Sequence, residues 1–571
     1  MSDRDEKAMP TGAPRVAVSG AILPWKAASE VALLMAVLVV AAAARLHDLG
    51  GKSIWLDEAF SIYVARQPPD RILEIVVRHD TPPPLYYLLL HFWMGLGDDA
   101  FSVRLLSALL SIFAVGATYL LGREVGGQRI ALPAALLVAL SPFQVWYGQE
   151  ARMYALLAFL GTTSAYLLLR GLKGGCAAAW VGYIAATSMA TYTQPASAFL
   201  LLGEGVAALL FLGLQMRHPR PIAGGGEPIP FTARQHVAAT SAPKGSEGSE
   251  RIGEDESESA GHAVSRLQAP PDRTVGGLRR LSVPSRARPW LLSQMAIALL
   301  WLPWLPNFLR QSQTYQQFWI EVPTWSSIQT LLYEFTSAYL PHWWLNRGQE
   351  ILIAGALLLA LVAKRRIAAR EYLFLATLVV VPVGAMFLVS QIKPIFLSRA
   401  LIFVVAPYLV LVAGGLASLT RWRAGSVLLA LLVLLNMVSL YRLYTTIPKE
   451  EWDLAARHVT SQAEPGDLVL FVAADTQIPF DYYADPQSHH LEKRGLPVDV
   501  FTVGPLEPRV QEADLARMDE LVGNRESFWL VDSHTAFADP AGLVRSHAAE
   551  RYRLEGEQRF EGITVLHFRT K

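Results

Sequence analysis

The strongest constraint on this chain is the recurrence of apolar runs that are long enough to cross a lipid bilayer. A helix needs about 20 mostly apolar residues to span the hydrocarbon core. Eleven such runs are predicted as membrane spans: 28–46, 102–122, 130–147, 153–170, 176–193, 196–216, 289–309, 350–363, 371–390, 400–420 and 424–444. Hydrophobic residues make up 52% of the chain and charged residues only 17%, which excludes an ordinary soluble protein of 571 residues. We therefore expect an α-helical polytopic membrane protein.

The side of the membrane on which each loop lies depends on the apolar stretch 84–96. This stretch is short for a span and rich in aromatic residues. If it lies on the outer surface, the short basic clusters of the later loops all fall inside, as cytoplasmic loops prefer. If it spans the membrane, they all fall outside. The sequence therefore predicts a multi-pass protein of the cell membrane with a cytoplasmic amino terminus and an extracytoplasmic carboxyl tail.

Composition divides the chain into a membrane part and non-membrane segments. Residues 1–27 form a polar cytoplasmic tail, and the membrane core 28–216 contains a first outer loop at 47–101. Residues 217–288 are rich in Gly, Pro, Ser, Glu and Arg with few aromatics, which predicts a disordered cytoplasmic insert before the later helices at 289–445.

The last 126 residues, 446–571, are less apolar and predict a small extracytoplasmic α/β domain. Short apolar runs predict strands, and the intervening amphipathic stretches predict helices. The predicted strands are 468–472, 498–503 and 528–531, and the predicted helices are 450–462, 509–522 and 540–550.

Two general properties add little about function. The net charge of +1 gives no indication of a nucleic-acid partner, and none is predicted. A single cysteine, Cys176, excludes an intrachain disulfide.

Two adjacent carboxylates, Asp57 and Glu58, follow the first predicted span. On a helix their side chains diverge by about 100°, so at most one of them points into a given site. One interpretation is that Asp57 caps a surface helix running to Ala65, with Glu58 adding favourable charge in its first turn. The other is that Asp57 is a general base that accepts a proton from a hydroxyl group.

A second polar segment, 79–87, contains His79, Asp80, three prolines and Tyr86. The prolines favour an extended entry into the helix at 84–96, which Asp80 could cap. Alternatively, Asp80 is a second acid of the site, or binds a divalent cation together with His79. Tyr86 is predicted to lie beside the site on the helix that follows.

The third segment, 147–154, contains Glu150 and Arg152. In the predicted topology Arg152 lies at the outer amino-terminal end of a span, where it opposes the helix dipole and the distribution of basic residues. A phosphate group would satisfy its guanidinium. Lys393 and Arg399 are the other outward basic residues beside a span; they either anchor lipid headgroups or bind the same phosphate. Glu204, inside a span, has no evident partner in the sequence.

The combination of segments 55–60, 79–87 and 149–155 resembles bacterial members of the protein-mannosyltransferase and aminoarabinose-transferase superfamily, in particular their RgtA/B/C/D-like branch. The resemblance implies a GT-C fold and an inverting transfer of a sugar from a polyprenyl-phosphate donor. It also implies that Asp57 is the catalytic carboxylate and that Glu58 supports it. Glu150, with Asp80, Tyr86 and the basic residues, is assigned to substrate binding.

The resemblance leaves the acceptor and the cofactor open. Relatives modify proteins, lipids or envelope glycans, and some bind a divalent cation whereas others need none. A transporter or flippase of lipid-linked sugars is the alternative, but it predicts internal repeats and charges along a path through the spans. A scaffold that uses the tail domain is a third interpretation. Nearly all charged residues of the spans lie at their ends, which favours the enzyme.

Overall fold

A computed structural model of the protein describes residues 22–78, 82–217, 287–314, 320–336, 339–362, 368–419, 422–484, 490–500 and 509–570. Asp80, His79 and nearly all of the predicted insert 217–288 lie outside these described residues. The helices of the first membrane segment are α1 (Ile22–Leu46), α2 (Leu56–Ala65), α3 (Pro69–Arg78), α4 (Leu85–Trp93), α5 (Ala100–Gly126), α6 (Gln128–Ala139), α7 (Pro142–Gly148), α8 (Tyr154–Leu172), α9 (Ala177–Thr191) and α10 (Ser197–Arg217).

The second membrane segment and the carboxyl tail follow the same chain order. The helices between the insert and the tail are α11 (Ala287–Trp301), α12 (Leu305–Thr314), α13 (Trp325–Thr336), α14 (Trp343–Val362), α15 (Ala369–Ser390), α16 (Val405–Ser418) and α17 (Trp422–Thr445). The helices of the tail are α18 (Trp452–Gln462), α19 (Gln477–Ala484), α20 (Leu515–Val522), α21 (Thr535–Ala538) and α22 (Leu543–Arg551).

The described residues contain nine helices that are long and apolar enough to cross a membrane, or ten spans if one bent pair counts as one. The bent pair is α6 and α7, which meet at 58° where the sequence predicted one straight span over 130–147. Pro142 begins α7 and cannot continue the hydrogen bonds of α6. The predicted span 176–193 is the 15-residue α9, which at 1.5 Å per residue reaches only about 22 Å. The polytopic helical fold is confirmed, with fewer full-length spans than the eleven predicted.

Helix α5 is capped at its amino-terminal end and packs closely on α6 near its other end. The Asp99 carboxylate caps it by accepting hydrogen bonds from the backbone N–H groups of Phe101 and Ser102, at 3.0 and 3.3 Å. Near its other end, a Cβ built on Gly122 would lie 2.9 Å from the Cα of Ala131, so the absence of a side chain lets α5 and α6 approach closely.

The central helix of the later segment is α16, preceded by a 3₁₀ turn at Ser398–Val404. In the most apolar part of Ser398–Ser418, 94% of the residues are buried, a larger share than in the other candidate spans. A Cβ on Gly415 would meet the backbone carbonyl of Ala356 on α14 at 1.8 Å, so only glycine allows this contact. Helix α16 is therefore fixed against α14. The 3₁₀ turn that leads into α16 contains Arg399.

The carboxyl tail contains a five-stranded sheet with the order β2-β1-β3-β5-β4. Its strands are β1 (Leu468–Phe471), β2 (Glu492–Gly495), β3 (Ser527–Ser533), β4 (Tyr552–Phe560) and β5 (Ile563–Thr570). Strand β1 pairs in parallel with β2 and β3, while β5 pairs antiparallel with β3 and β4. Val469 and Phe471 pack with α18 on one face, and Leu468 and Leu470 pack with α20 and α22 on the other. The predicted α/β domain is thus present.

Some strand positions in this domain differ from the prediction. The runs at 468–472 and 528–531 are strands as expected, but the strand predicted at 498–503 is wrong over 498–500, and 501–503 lie outside the described residues. The strand is instead Glu492–Gly495, a charged edge strand. The hairpin of β4 and β5 escaped prediction because most of β4 is polar and exposed.

The tail domain packs directly on the first outer loop. The Tyr483 hydroxyl on α19 accepts a hydrogen bond of 2.6 Å from the backbone N–H of Ile54. The Ser53 hydroxyl accepts one of 3.3 Å from the backbone N–H of Asp453. Lys52 donates to the carbonyls of Leu443 and Ile447, at 2.7 and 2.6 Å. Residues 52–54, just before α2, are therefore held by the tail domain and by the chain at the end of α17.

Candidate active site

The two adjacent carboxylates of α2 have separate sets of partners. The helix begins at Leu56, and its cap residue, Trp55, makes no side-chain cap hydrogen bond. Asp57 and Glu58 lie in the first turn, so the interpretation of Asp57 as the helix cap is wrong. Their side chains diverge as expected, and each meets different cations.

Glu58 is completely buried and accepts four hydrogen bonds. Arg104 binds it with two parallel bonds of 2.8 and 2.7 Å, Lys449 donates one of 3.0 Å, and the backbone N–H of Ala151 donates one of 2.9 Å. Burial alone would raise the pKa of Glu58, but Arg104 and Lys449 outweigh it and lower the pKa to about 2. Glu58 is therefore ionised and connects three parts of the chain.

Arg104 also fixes the loop before α2. Its guanidinium donates to the carbonyls of Leu49, Lys52 and Ser53, at 3.0, 2.7 and 2.9 Å. With the two bonds to Glu58, all five N–H donors of this arginine are used. The conformation of the chain that presents Asp57 is thus determined by one buried side chain from α5.

Asp57 is held between two guanidinium groups. Arg399 donates a hydrogen bond of 3.1 Å to its carboxylate, and Arg152 forms an ion pair with the same oxygen at 3.7 Å. Burial favours the neutral acid, but Arg152 and Arg399 exceed that effect and keep the pKa of Asp57 below its ordinary value. The side chain of Asp57 is 27% exposed, and its lowered pKa keeps the carboxylate ionised at neutral pH.

Arg152 is itself positioned by α2 and α5. It donates to the backbone carbonyl of Asp57 at 3.1 Å and to the Ser61 hydroxyl at 3.2 Å. The Ser107 hydroxyl donates to the carbonyl of Arg152 at 3.3 Å and lies 2.9 Å from the Tyr86 hydroxyl. Tyr86 is thus buried and supports Arg152 through Ser107. The ring of Tyr154 lies beneath both Arg152 and Arg399, at 5.9 and 5.7 Å from their guanidinium carbons.

Glu150 is fully buried beside this cluster. Its carboxylate lies 3.6 Å from the Lys449 ammonium, and neither of its oxygens accepts a hydrogen bond from the residues that the structure describes. Burial raises the pKa of Glu150 to about 7, against the effect of Lys449 and with that of Glu58 and Asp57. Glu150 is therefore the acid of this cluster that changes charge near neutral pH.

The structure brings most of the predicted site residues together. Those in one cluster are Asp57, Glu58, Glu150, Arg152 and Arg399, with Tyr86 linked to it through Ser107. Lys393 is placed differently: its amino group donates to the carbonyl of Ser312. Asp80 lies outside the described residues, and its role stays a prediction.

Two residues of the cluster were missed by the sequence analysis. Arg104 lies within the predicted span 102–122, and an ionisable residue inside a span indicates a functional site. Lys449 lies just after the last span, where nothing in the sequence distinguishes it from an exposed lysine. Its position depends on how the tail domain folds back.

The described residues do not form a metal site. No group of three His, Cys, Asp or Glu side chains in the described part of the chain could hold a metal ion. The carboxylate of Asp57 faces two guanidiniums, which disfavours a cation at that oxygen. A divalent cation bound by His79 and Asp80 stays a prediction about residues beyond this part.

The sequence suggests no partner for Glu204. In the structure, this residue is buried among polar side chains of neighbouring helices. Ser164 on α8 donates a hydrogen bond of 2.6 Å to its carboxylate, and Ser164 also lies 2.7 Å from the Thr187 hydroxyl on α9. This network links α8, α9 and α10, and it gives one oxygen of the carboxyl group a hydrogen bond within the helix bundle.

Comparisons with known proteins agree with this architecture. Residues 80–224 match the sequence model of the dolichyl-phosphate-mannose-protein mannosyltransferase family. The structure of ArnT from Cupriavidus metallidurans in the apo state is similar at a TM-score of 0.57 and 15% identity, over 95% of this chain and 98% of ArnT. ArnT of the same organism bound to undecaprenyl phosphate gives a TM-score of 0.54 and 13% identity, over 96% and 98%. A comparison of the sequence with curated proteins finds no significant match. At these identities, the structural similarity shows a shared fold.

Proposed function

We propose that the chain is a GT-C membrane glycosyltransferase that transfers a sugar from a polyprenyl-phosphate donor to an acceptor of the cell envelope; the match of residues 80–224 to the mannosyltransferase family model and the fold shared with ArnT support this proposal. The observation that carries this proposal is the placement of Asp57 between Arg152 and Arg399. One accessible carboxylate and two guanidiniums at one point supply a base for a hydroxyl group and partners for a phosphate. ArnT, which has the same fold, binds undecaprenyl phosphate.

In the proposed reaction, the oxygen of an acceptor hydroxyl attacks the anomeric carbon of the donor sugar. Asp57 accepts the proton of that hydroxyl. The bond between this carbon and the phosphate oxygen breaks, and the polyprenyl phosphate leaves with the electron pair. A single displacement of this kind inverts the configuration at the anomeric carbon. Glu58 takes no part in these bond changes, because its oxygens already accept four hydrogen bonds. It is a positioning residue.

Arg152 and Arg399 have the chemistry to stabilise the leaving phosphate. Guanidinium groups suit the oxygens of a phosphate, and fixed cations lower the energy of a developing negative charge. Without donor, Asp57 is the anion that these arginines contact. A bound phosphate interacts with the same two guanidiniums, so they stabilise the charge of Asp57 less. The Asp57 carboxylate then becomes a stronger base. Donor binding and activation of the base are therefore linked in this proposal.

We further propose that the site lies on the outer face of the cytoplasmic membrane. The distribution of basic residues places the amino terminus in the cytoplasm and the first outer loop, with Asp57, outside. The contacts of Arg152 and Lys449 with residues of that loop, and of Lys449 with Glu150, support this topology, because all three segments must then share one side. The tail domain lies there as well.

The proposed function is tested by incubating membranes that contain the protein with a panel of polyprenyl-phosphate sugars and cell-envelope extract. We expect release of free polyprenyl phosphate from one donor and appearance of its sugar on an extract component. The same membranes without the protein are the control. Movement of an intact donor across the membrane without its cleavage would contradict the enzyme and support the transporter.

We expect Arg152→Ala and Arg399→Ala each to weaken the binding of polyprenyl phosphate by about 10- to 100-fold, as the loss of one charged hydrogen-bonding partner predicts. The measurement is a binding titration in detergent or nanodiscs. Arg347→Ala is the matched control, since this arginine pairs with Glu350 on α14 and its side chain is 65% exposed. Unchanged affinity in both site variants would assign the two arginines to structural roles.

A further inference from the structure

Lys449 joins the tail domain to the candidate active site. It lies between the end of α17 at Thr445 and the start of α18 at Trp452. Its side chain is only 7% exposed, and its ammonium lies 3.0 Å from one oxygen of Glu58 and 3.6 Å from one oxygen of Glu150. A lysine is rarely buried without such partners.

The two acids that Lys449 contacts belong to separate parts of the chain. Glu58 lies in α2 beside Asp57, and Glu150 lies in the connection between α7 and α8 beside Arg152. Only one direct hydrogen bond from the backbone of that connection reaches Glu58, from Ala151. Arg152 of the same connection also donates to the Asp57 carbonyl and to the Ser61 hydroxyl of α2. Lys449 adds a further connection between the segments, and it originates in neither of them.

We propose that Lys449 is a positioning residue of the transfer reaction: by holding Glu58 and Glu150 together, it fixes Asp57 relative to Arg152 and makes the site depend on the docked tail domain. This inference rests on the proposed function for its effect on activity. Its structural basis is the pair of contacts made by one ammonium group with two buried carboxylates.

The surroundings of Glu150 give this contact a dependence on pH. Lys449, Arg104 and Arg399 face Glu150 as cations, Glu58 and Asp57 face it as anions, and Tyr147 and Tyr339 lie near it. With a pKa of about 7, Glu150 is ionised above this pH and neutral below it. Lys449 therefore loses one of its two anionic partners as the pH falls through about 7. Asp57, with a lowered pKa, stays ionised over the same range.

Removing Lys449 also removes the main cation that favours the charged form of Glu150. Burial and the charges of Glu58 and Asp57 then raise the pKa of Glu150 further, so that it stays neutral across the assay range. The connection through Lys449 is lost at every pH, and only the hydrogen bonds of Ala151 and Arg152 to α2 remain. Displacement of reacting groups by about 1 Å can lower a rate by about 100-fold.

The test compares the pH dependence of polyprenyl phosphate release between wild type and variants at position 449. We expect wild-type turnover to fall as the pH is lowered through about 7, as the pKa of Glu150 requires. Lys449→Met is expected to lose about 10- to 100-fold in kcat. Its kcat should also lack the step, which is the decrease that the wild type shows as the pH falls through about 7. Lys449→Arg, which keeps the charge, should retain the step and most of the rate. Glu150→Gln should lack the step as well, and should add little to Lys449→Met.

The matched control is Lys493→Met, which removes another paired lysine of the same domain. Lys493 contacts Asp481 at 2.6 Å. We expect its kcat and pH profile to match wild type. A wild-type profile in Lys449→Met, or an equal loss in Lys493→Met, would overturn the inference.

Hydrogen–deuterium exchange gives a second readout that needs no substrate. We expect faster exchange of the backbone over 149–153 in Lys449→Met than in wild type, and no change in Lys493→Met. Unchanged exchange would show that Lys449 does not hold this segment. If the wild type cleaves no donor, the proposed function fails, and exchange alone then decides whether Lys449 positions the two segments.

Discussion

Replacing Asp57 by asparagine is expected to lower the rate of sugar transfer by about 10²- to 10⁴-fold, the contribution typical of a general base. The amide is nearly isosteric but cannot accept the proton of the acceptor hydroxyl. Polyprenyl phosphate should bind at least as tightly as to wild type, because the variant removes the anion that Arg152 and Arg399 contact in the free protein. A loss of turnover with retained or tighter binding is a combination that general misfolding does not produce.

The measurement is kcat for donor cleavage together with a binding titration of polyprenyl phosphate. Asp98→Asn is the control, since Asp98 lies in the same outer loop but its side chain is 64% exposed and pairs with Arg66 at the surface. Its kinetics should match wild type. Wild-type turnover in Asp57→Asn would exclude the general-base role.

Glu58→Ala is expected to destabilise the folded protein by about 3–5 kcal/mol, as is typical when one partner of a buried ion pair is removed. The variant leaves the charges of Arg104 and Lys449 buried without the carboxylate that both contact. The readout is the thermal unfolding midpoint in detergent. Adding Arg104→Met should cost less than the sum of the two single changes, because it removes one of the uncompensated charges.

The control for this variant is Glu74→Ala, which breaks ion pairs with the exposed Arg71 and Arg78. Such surface pairs contribute about 0–1 kcal/mol. Equal midpoints for wild type and Glu58→Ala would contradict the structural role of Glu58.

The stabilisation by Glu58 also has a defined pH range. Its pKa falls from 4.5 to about 2 on folding, so the unfolded chain binds a proton more readily than the folded protein. The contribution is complete above pH 4.5 and is lost as the pH falls toward about 2. The wild-type unfolding midpoint should therefore decrease over this interval, and that of Glu58→Ala should decrease less.

The sequence predicted the membrane fold and much of the candidate site for identifiable reasons. Membrane spans follow from local apolar runs, and Asp57, Glu150 and Arg152 stood out because charges beside spans are costly. The partners of these residues depend on contacts between distant segments. Arg399 meets Asp57 across 342 positions of sequence and Lys449 meets Glu58 across 391, so neither pair leaves a local pattern.

The tail domain shows the same limit in another form. The interior strands β1 and β3 were found, whereas the charged edge strand β2, the exposed β4 and its hairpin partner β5 were not. Alternation of apolar residues reveals a strand only where one face is buried. Lys393 follows the same span as Arg399, but its amino group donates to the carbonyl of Ser312, and its role in the site stays a prediction.

The most direct test of the account is an experimental structure of the Asp57→Asn variant with bound polyprenyl phosphate. We expect phosphate oxygens within hydrogen-bonding distance of the guanidiniums of both Arg152 and Arg399, with the side chain at position 57 beside the phosphate. A phosphate bound elsewhere, with the two arginines still directed at position 57, would contradict the proposed transfer site.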